Sequence, residues 1–246
     1  MFSSIEQLAT MLQSKNETER KAKEFLKDTI SDISHQLKTP LAALTMYQEI
    51  IESEPENAET VKQFAAKMGI SLKRMEQLIL SMLKITRLDT GNIIFEKKSC
   101  RVSELIAHSV NELTARAKNE NKQIQIDGGG EQKLICDMEW TGEAIGNIVK
   151  NALDHTQVGG IVRITWNRAP AMFQIFISDN GSGIAPEDIH HIFKRFYRSK
   201  HSIDTQGIGL GLPLAKSIIE GQGGVISVQS ESGKGTLFTL SFLTEL

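Results

Sequence analysis

The sequence predicts an α+β protein of two parts, a helical hairpin followed by an α/β sandwich. In residues 4–88 apolar residues recur every three or four positions on both sides of a turn at 53–57, apart from a polar middle in the first half, which is typical of two long amphipathic helices. After a short polar break at residues 88–92, strand and helix patterns alternate between glycine-rich turns. That alternation is typical of one sheet covered by helices on one face. We therefore predict two domains, at residues 1–90 and 91–246.

The composition excludes several classes of protein. Lys and Arg number 28 against 30 Asp and Glu, a net charge of -2, whereas a chain that coats nucleic acid needs a basic excess. The two cysteines, Cys100 and Cys136, are too few for a disulfide framework and lack metal-ligand spacing. No segment reaches the ~20 apolar residues that cross a bilayer. We expect a cytoplasmic chain without nucleic-acid or membrane contact of its own, either independent or the cytoplasmic part of a membrane-anchored protein.

Each helix of the hairpin has one apolar stripe. The first stripe contains Ile30, Ile33, Leu37, Leu41, Leu44 and Ile51. The second contains Val61, Phe64, Ala65, Met68, Leu72, Met75, Ile79, Met82 and Ile85. A two-helix hairpin cannot cover both stripes, so we predict that two copies form a four-helix bundle. The alternative is that the hairpin packs on the rest of its own chain.

His35 lies outside the first stripe. It is two residues from both Ile33 and Leu37, and two residues turn a helix by ~200°, so its side chain faces away from the apolar seam. Pro40 removes the helical hydrogen bond to the carbonyl of Gln36 and bends the helix there. An exposed histidine is usually only a solvated side chain, but a helix defect beside it favours a functional role.

The second part is predicted to contain seven strands and three helices. The strands are residues 93–95, 123–126, 133–136, 161–166, 172–178, 225–230 and 236–242. The helices are residues 102–118, 139–155 and 212–221.

Four groups of residues between 147 and 211 favour the binding of phosphate groups and of a flat ring with an exocyclic amine. Asn147, Asn151 and His155 share one helix face, where carboxamides can coordinate a hard cation and bond phosphates. For this segment alone, a pair of surface or capping asparagines is the favoured interpretation. The strand that ends at Asp179 runs into Gly181, Gly183 and Ile184. There a carboxylate can accept a bond from an exocyclic amine while glycines admit a flat ring, although an ordinary tight turn has the same pattern.

Of the other two groups, one is basic and aromatic and the other is rich in glycine. Cations among the aromatic residues of 193–198, which end at Arg198, could meet phosphate oxygens, although a solvated lid with aromatic anchors is the favoured interpretation of this segment alone. The run Gly207, Ile208, Gly209, Leu210 and Gly211 leads into a helix, whose first backbone amides can cradle phosphate. This run lacks the spacing of a dinucleotide fingerprint, and residues 233–236 are not a P-loop. Each group is a weak signal alone, but four in this order are much stronger.

In these groups the sequence resembles the cytoplasmic catalytic part of bacterial two-component sensor histidine kinases, over about residues 25–242. The matching motifs are a phosphoacceptor box at 34–41, an Asn box at 147–151, an Asp-x-Gly-x-Gly box from 179, a Phe box at 193–198 and a glycine box from 207. The resemblance implies a dimerisation and histidine-phosphotransfer domain followed by an ATP-binding domain of the gyrase, chaperone, kinase and mismatch-repair superfamily.

The resemblance also implies roles for single residues. His35 would accept the phosphoryl group from ATP and pass it to an aspartate of a response regulator. Asn151 would hold Mg²⁺ with Asn147 beside it, and Asp179 would read the adenine amino group. The remaining implied contacts are His155 against the adenine, Arg198 at the terminal phosphate, and Gly207, Gly209 and Gly211 along the phosphates under a mobile lid at 197–206.

Three function classes remain open from the sequence. The first is a dimeric autokinase. The second is a conformational ATPase, but those relatives carry a glutamate where Asn147 stands, and an amide cannot accept a proton from water. The third is a nucleotide sensor or a phosphatase, because Thr39 stands where the family positions a water for dephosphorylating its partner. Helix packing is the alternative role of Thr39.

The chain departs from the family pattern at Gln36. Most members with this box place Glu or Asp directly after the phosphoacceptor histidine, where the carboxylate orients the imidazole and can take its proton. The amide oxygen of Gln36 can accept a hydrogen bond but cannot act as a base. Water or Asp32, one turn earlier on the same face, would then take the proton. The departure predicts a slow autokinase.

Overall fold

The computed structural model describes residues 2–199 and 207–244. The chain divides into two compact units, Met1–Gln77 and Leu78–Leu246. Its helices are α1 (Phe2–Ser53), α2 (Ala58–Asp89), α3 (Val102–Asn119), α4 (Met138–His155), α5 (Pro186–Ile189) and α6 (Gly211–Gly221). Its strands are β1 (Lys98–Arg101), β2 (Gln123–Ile126), β3 (Lys133–Cys136), β4 (Ile161–Ala169), β5 (Met172–Asp179), β6 (Val225–Glu231) and β7 (Gly235–Leu243).

The first unit consists of α1 and most of α2. Helix α1 continues through Pro40, and the backbone N–H of Thr60 donates to Asn57 Oδ1 at 3.2 Å to cap α2. Near the connecting turn the rings of Tyr47 and Phe64 pack with centroids 5.6 Å apart. Further along, Leu72 is still 56% exposed. No helix in the described part of the chain is long and apolar enough to span a bilayer.

The last three turns of α2 belong to the second unit. Leu78, Met82 and Ile85 are buried, and Lys84 Nζ forms an ion pair with Glu143 of α4 at 2.6 Å. The second apolar stripe therefore divides along its length, because its end packs within the second unit while its middle stays exposed. The compact units meet inside α2, whereas the predicted domain boundary lies at the end of this helix.

The second unit is built on a five-stranded sheet. Its strand order is β2-β4-β5-β7-β6, with β2 parallel to β4 and the other pairs antiparallel. Alternate residues of the inner strands are fully buried, such as Ile164, Ile175 and Phe238. Helices α3, α4 and α6 contact this sheet with their own buried stripes. The predicted helical hairpin and α/β sandwich are confirmed.

Three details differ from the prediction. The strand predicted at 93–95 is wrong: no strand pairs with it, Ile94 is 92% exposed, and Phe95 instead packs its ring on Trp140 at 6.1 Å. The first strand is β1, which pairs with β3 in a separate two-stranded sheet. Strands β2 and β3 flank one glycine turn but lie in different sheets. The short helix α5 was not predicted.

Candidate functional site

Asp179 ends β5 at one edge of the candidate site. Its Oδ1 accepts a hydrogen bond from the backbone N–H of Gly181 at 2.8 Å. Burial raises the pKa of the Asp179 carboxyl, while backbone bonds from Gly181 and Thr236 and the nearby His155 partly oppose that shift. The fold thus buries this carboxylate where its charged form is unfavourable, unless a ligand donates a hydrogen bond to it.

Close backbone contacts hold the loop after Asp179. A Cβ added at Gly181 would lie 2.3 Å from the carbonyl oxygen of His155, which also accepts the N–H of Ser182 at 3.1 Å. At Gly183, φ is +67°, and a Cβ would lie 2.1 Å from the carbonyl oxygen of Glu231. The loop is therefore clamped between the end of α4 and the β6–β7 hairpin, and both contacts require glycine.

The β6–β7 hairpin contributes residues that the sequence did not reveal. A Cβ at Gly235 would lie 2.0 Å from the carbonyl oxygen of Asp179. Thr236 supplies a backbone bond to the Asp179 carboxylate, and its hydroxyl lies 3.0 Å from Ser230 Oγ, which accepts the N–H of Ile184 at 2.8 Å. The Gly-Lys-Gly-Thr segment at 233–236 stands out in the sequence. Its place beside Asp179 follows only from the pairing of β5 with β7.

The Phe box and the last glycine box meet on the other side of the site. The N–H of Phe196 donates to the carbonyl of Gly209 at 2.9 Å, and a Cβ at Gly209 would lie 2.8 Å from the carbonyl oxygen of Tyr197. A Cβ at Gly211 would lie 3.2 Å from Asn147 Oδ1. The glycine box therefore brings the start of α6 next to the amide of the Asn box.

Helix α4 presents the two asparagines. Its start is capped by Asp137 Oδ1, which accepts the N–H of Trp140 at 3.2 Å. Asn147 and Asn151 are half-buried one turn apart, and within residues 2–199 and 207–244 neither amide has a protein hydrogen-bond partner. The described residues hold no group of three or more His, Cys, Asp and Glu side chains that could bind a metal alone.

The remaining predicted residues of this unit have different settings. The Leu210 side chain is buried in the core, so any ligand contact at this position involves its backbone. Gly207 is half-buried and Arg198 is exposed. Most of the predicted lid, residues 200–206, lies outside the described residues.

The predicted phosphoacceptor segment lies in the first unit, on α1. Asp32, His35 and Thr39 are exposed, and Gln36 is half-buried. The hydroxyl of Ser34 donates to the carbonyl of Ile30, one turn earlier, at 2.7 Å. The exposure predicted for His35 from the helical periodicity is confirmed.

Two families match the chain in succession. Residues 25–91 match the "His Kinase A (phospho-acceptor) domain", and residues 136–246 match the "Histidine kinase-, DNA gyrase B-, and HSP90-like ATPase". The chain belongs to the sensor histidine kinase family. The second unit accordingly has the ATP-binding fold of that family, and the loops around Asp179 and Gly209 lie within the matched range.

The named relatives are longer than this chain. The sensor-like histidine kinase SenX3 of Mycobacterium tuberculosis is 30% identical over 217 residues, which are 87% of this chain and 53% of SenX3. The sensor protein SrrB of Staphylococcus aureus is also 30% identical over 217 residues, or 37% of SrrB. The chain thus spans about half or less of these relatives.

Solved structures agree with the fold. The histidine kinase ThkA, solved in complex with the response regulator TrrA, superposes with a TM-score of 0.74 over 94% of this chain and 66% of that one, at 20% identity. Acinetobacter baumannii AdeS gives a TM-score of 0.67 over 85% of this chain and 97% of that one, at 18% identity.

We predict that Asp179→Asn makes the second unit more stable at neutral pH. Because burial raises the pKa of Asp179, the folded state binds this proton more tightly than the unfolded state. Folding stability therefore falls as pH rises from the ordinary aspartate range through the raised value. The amide removes that cost and can still accept the Gly181 N–H. Urea unfolding followed by the fluorescence of Trp140 and Trp166, both in this unit, measures the effect.

The gain should disappear near pH 3, roughly below the ordinary pKa of aspartate, where both forms are neutral. Asp127→Asn is the matched control, since Asp127 is exposed and its ion pair with Arg163 at 3.4 Å contributes little. A variant as stable as wild type at pH 7 would contradict the cost assigned to the buried charge.

Proposed function

We propose that the chain is an ATP-dependent protein-histidine autokinase that phosphorylates His35 and passes the phosphoryl group to an aspartate of a response regulator. One observation carries the proposal: an exposed histidine in a phosphoacceptor-type helix precedes an ATPase-type site on one chain. The histidine kinase ThkA, which shares this fold, forms a complex with a response regulator, and that complex supports the second step.

The geometry around Asp179 supports an adenine site. The buried carboxylate can accept a hydrogen bond from the exocyclic amine, and Gly181 and Gly183 let the loop beside it pack against the backbone of His155 and Glu231. His155 would lie against the ring. An accepted bond to a charged group contributes ~1.5–3 kcal/mol, so Asp179→Asn is expected to bind ATP roughly 10- to 100-fold more weakly in calorimetric titration.

The start of α6 and the Asn face of α4 support a triphosphate site. Backbone N–H groups at Gly209 and Gly211 can bond phosphate oxygens, and the helix N-terminus favours their charge. Mg²⁺, held by Asn151 Oδ1 and phosphate oxygens, would neutralise charge that builds up during transfer. Arg198 is proposed to reach the terminal phosphate and Asn147 to lie beside the metal.

In the transfer step a neutral ring nitrogen of His35 attacks the γ-phosphorus in line. The new N–P bond forms as the bond between the γ-phosphorus and the bridging oxygen breaks, and ADP leaves with that electron pair. The other ring nitrogen carries the proton that must leave. A later attack by the partner's aspartate carboxylate breaks the N–P bond and restores His35.

Hydrolysis is disfavoured in this arrangement. Activation of water needs a base near the γ-phosphate, and the amide of Asn147 has no proton affinity at neutral pH. Thr39 is exposed four residues after His35 and so on the same helix face. That position supports a second proposed activity, the dephosphorylation of the phosphorylated partner.

Labelled ATP tests the main proposal. With Mg²⁺ we expect the wild type to gain acid-labile, base-stable label, as a phosphohistidine does, and His35→Ala to gain none. His108→Ala is the matched control, because His108 is another exposed histidine, on α3. Rapid release of free phosphate without labelled protein would instead support the conformational ATPase and overturn the proposal.

We predict that Gln36→Glu accelerates labelling of His35. A carboxylate at this position can accept the imidazole proton, and general-base assistance is typically worth ~10²–10⁴-fold, so a rise of at least ~10-fold is expected. Asp32→Asn should slow the wild type if Asp32 is the substitute base. Initial rates at saturating ATP measure both effects, with unchanged ATP affinity as the control. Equal rates for wild type and Gln36→Glu would show that the missing carboxylate does not limit the reaction.

We further propose that the chain is a homodimer through its helical hairpin. Ile30, Leu41 and Leu72 are each more than half exposed in the single chain, and burying such side chains stabilises association. Light scattering should give twice the chain mass of 27.3 kDa.

Leu72→Asp is expected to produce monomers, because an unpaired buried charge costs several kcal/mol. Gln63→Asp is the control: Gln63 is exposed and nine residues earlier, on the opposite face of α2. A wild type that is monomeric at micromolar concentration would refute the dimer.

A further inference from the structure

The two cysteines of the chain face each other across the small sheet. The Sγ atoms of Cys100 and Cys136 are 3.4 Å apart, and both thiols are free. In the β1–β3 register Cys100 pairs with Leu134 and Cys136 pairs with Lys98. The cysteines are thus diagonal neighbours on one face of an antiparallel pair, 36 residues apart in sequence.

The two thiols differ in exposure. Cys136 is 1% exposed, while Cys100 is half-buried, and both line a cavity of about 860 Å³. The cavity is bounded by polar and charged groups as well, including Lys98, Arg101 and Glu104. A small polar reagent can therefore reach Cys100 through the cavity, with the sulfur of Cys136 3.4 Å away.

The contact between the thiols also shifts their pKa values in opposite directions. A hydrogen bond from Cys136 lowers the pKa of Cys100 to about 7, against the opposing effects of burial and of Glu104. The same bond and burial raise the pKa of Cys136. The more exposed sulfur is thus also the one that is a thiolate near neutral pH, and the thiolate is the reactive form.

We propose that Cys100 and Cys136 form a reversible oxidation site, in which hydroperoxides convert the pair to an intramolecular disulfide. The Cys100 thiolate attacks a peroxide oxygen, the O–O bond breaks, and Cys100 becomes a sulfenic acid as water or an alcohol leaves. Cys136 then attacks the Cys100 sulfur and releases water. With hydrogen peroxide, two thiols and one peroxide give one disulfide and two waters, and a dithiol reductant reverses the change.

The local structure can accommodate the bond. Closing the sulfur separation from 3.4 Å to ~2.05 Å requires an approach of about 1.4 Å by two side chains that already point together. Both strands have four residues, and among the described residues they pair with no other strand. Cys136 directly precedes Asp137, which caps α4, so the bond would tie β1 to the start of the helix that carries Asn147 and Asn151.

Thiol counting on the full chain tests the proposal. After peroxide treatment and a denaturing quench, N-ethylmaleimide should modify no cysteine, compared with two in the reduced protein. The intact mass should be lower by two hydrogens, the chain should run as a single chain without reductant, and dithiothreitol should restore both thiols.

Single variants identify the order of attack. In Cys136→Ser, or Cys136→Ala if serine unfolds the protein, Cys100 should accumulate as a sulfenic acid that dimedone traps. In Cys100→Ser, Cys136 should remain a thiol at the same peroxide exposure. Tryptophan fluorescence reports whether each variant is folded. Wild-type protein that retains two alkylatable thiols, that forms disulfides only between chains, or that is oxidised to sulfinic acid without a disulfide would overturn the proposal.

Discussion

The candidate site depends on backbone segments that approach one another more closely than any side chain allows. The end of α4, the loop after β5 and the β6–β7 hairpin meet around Asp179, with Gly181, Gly183 and Gly235 at the contacts. A Cβ at any of these would lie within 2.3 Å of a carbonyl oxygen. Because the clashing atoms are backbone, no rotamer change could relieve them.

This close approach gives the carboxylate of Asp179 its properties. The surrounding backbone shields it from water, which raises its pKa, and supplies only N–H donors to hold it. The protein therefore keeps one strong acceptor that is incompletely satisfied by its own chain. The carboxylate is therefore an acceptor available to a ligand donor.

The sequence predicted the local features well and the long-range pairings poorly. Helix periodicity located α1 to α4 and the exposed His35, since neighbours on a helix are also close in sequence. The strand expected at 93–95 was wrong because an apolar triplet indicates burial but not a pairing partner. Thr236 and Ser230 were missed because their proximity to Asp179 arises from the β5–β7 pairing across more than fifty residues.

Within the proposed function, amides occupy two positions where proton transfer would call on a carboxylate. Asn147 stands where related ATPases have a base for water, and Gln36 stands beside the proposed phosphoacceptor. In the proposed autokinase, the amide at Asn147 would leave water without a base, and the amide at Gln36 would leave His35 without one. Hydrolysis of bound ATP and transfer to His35 would then both be slow.

The place of β7 in the sheet has a consequence for folding. This strand, Gly235–Leu243, comes last along the chain yet lies between β5 and β6 and supplies the buried Phe238 and Leu240. During synthesis the helices of the hairpin, whose contacts are local, can form long before this strand emerges from the ribosome. Until then β5 is an unpaired, apolar edge of the sheet, to which chaperones would bind.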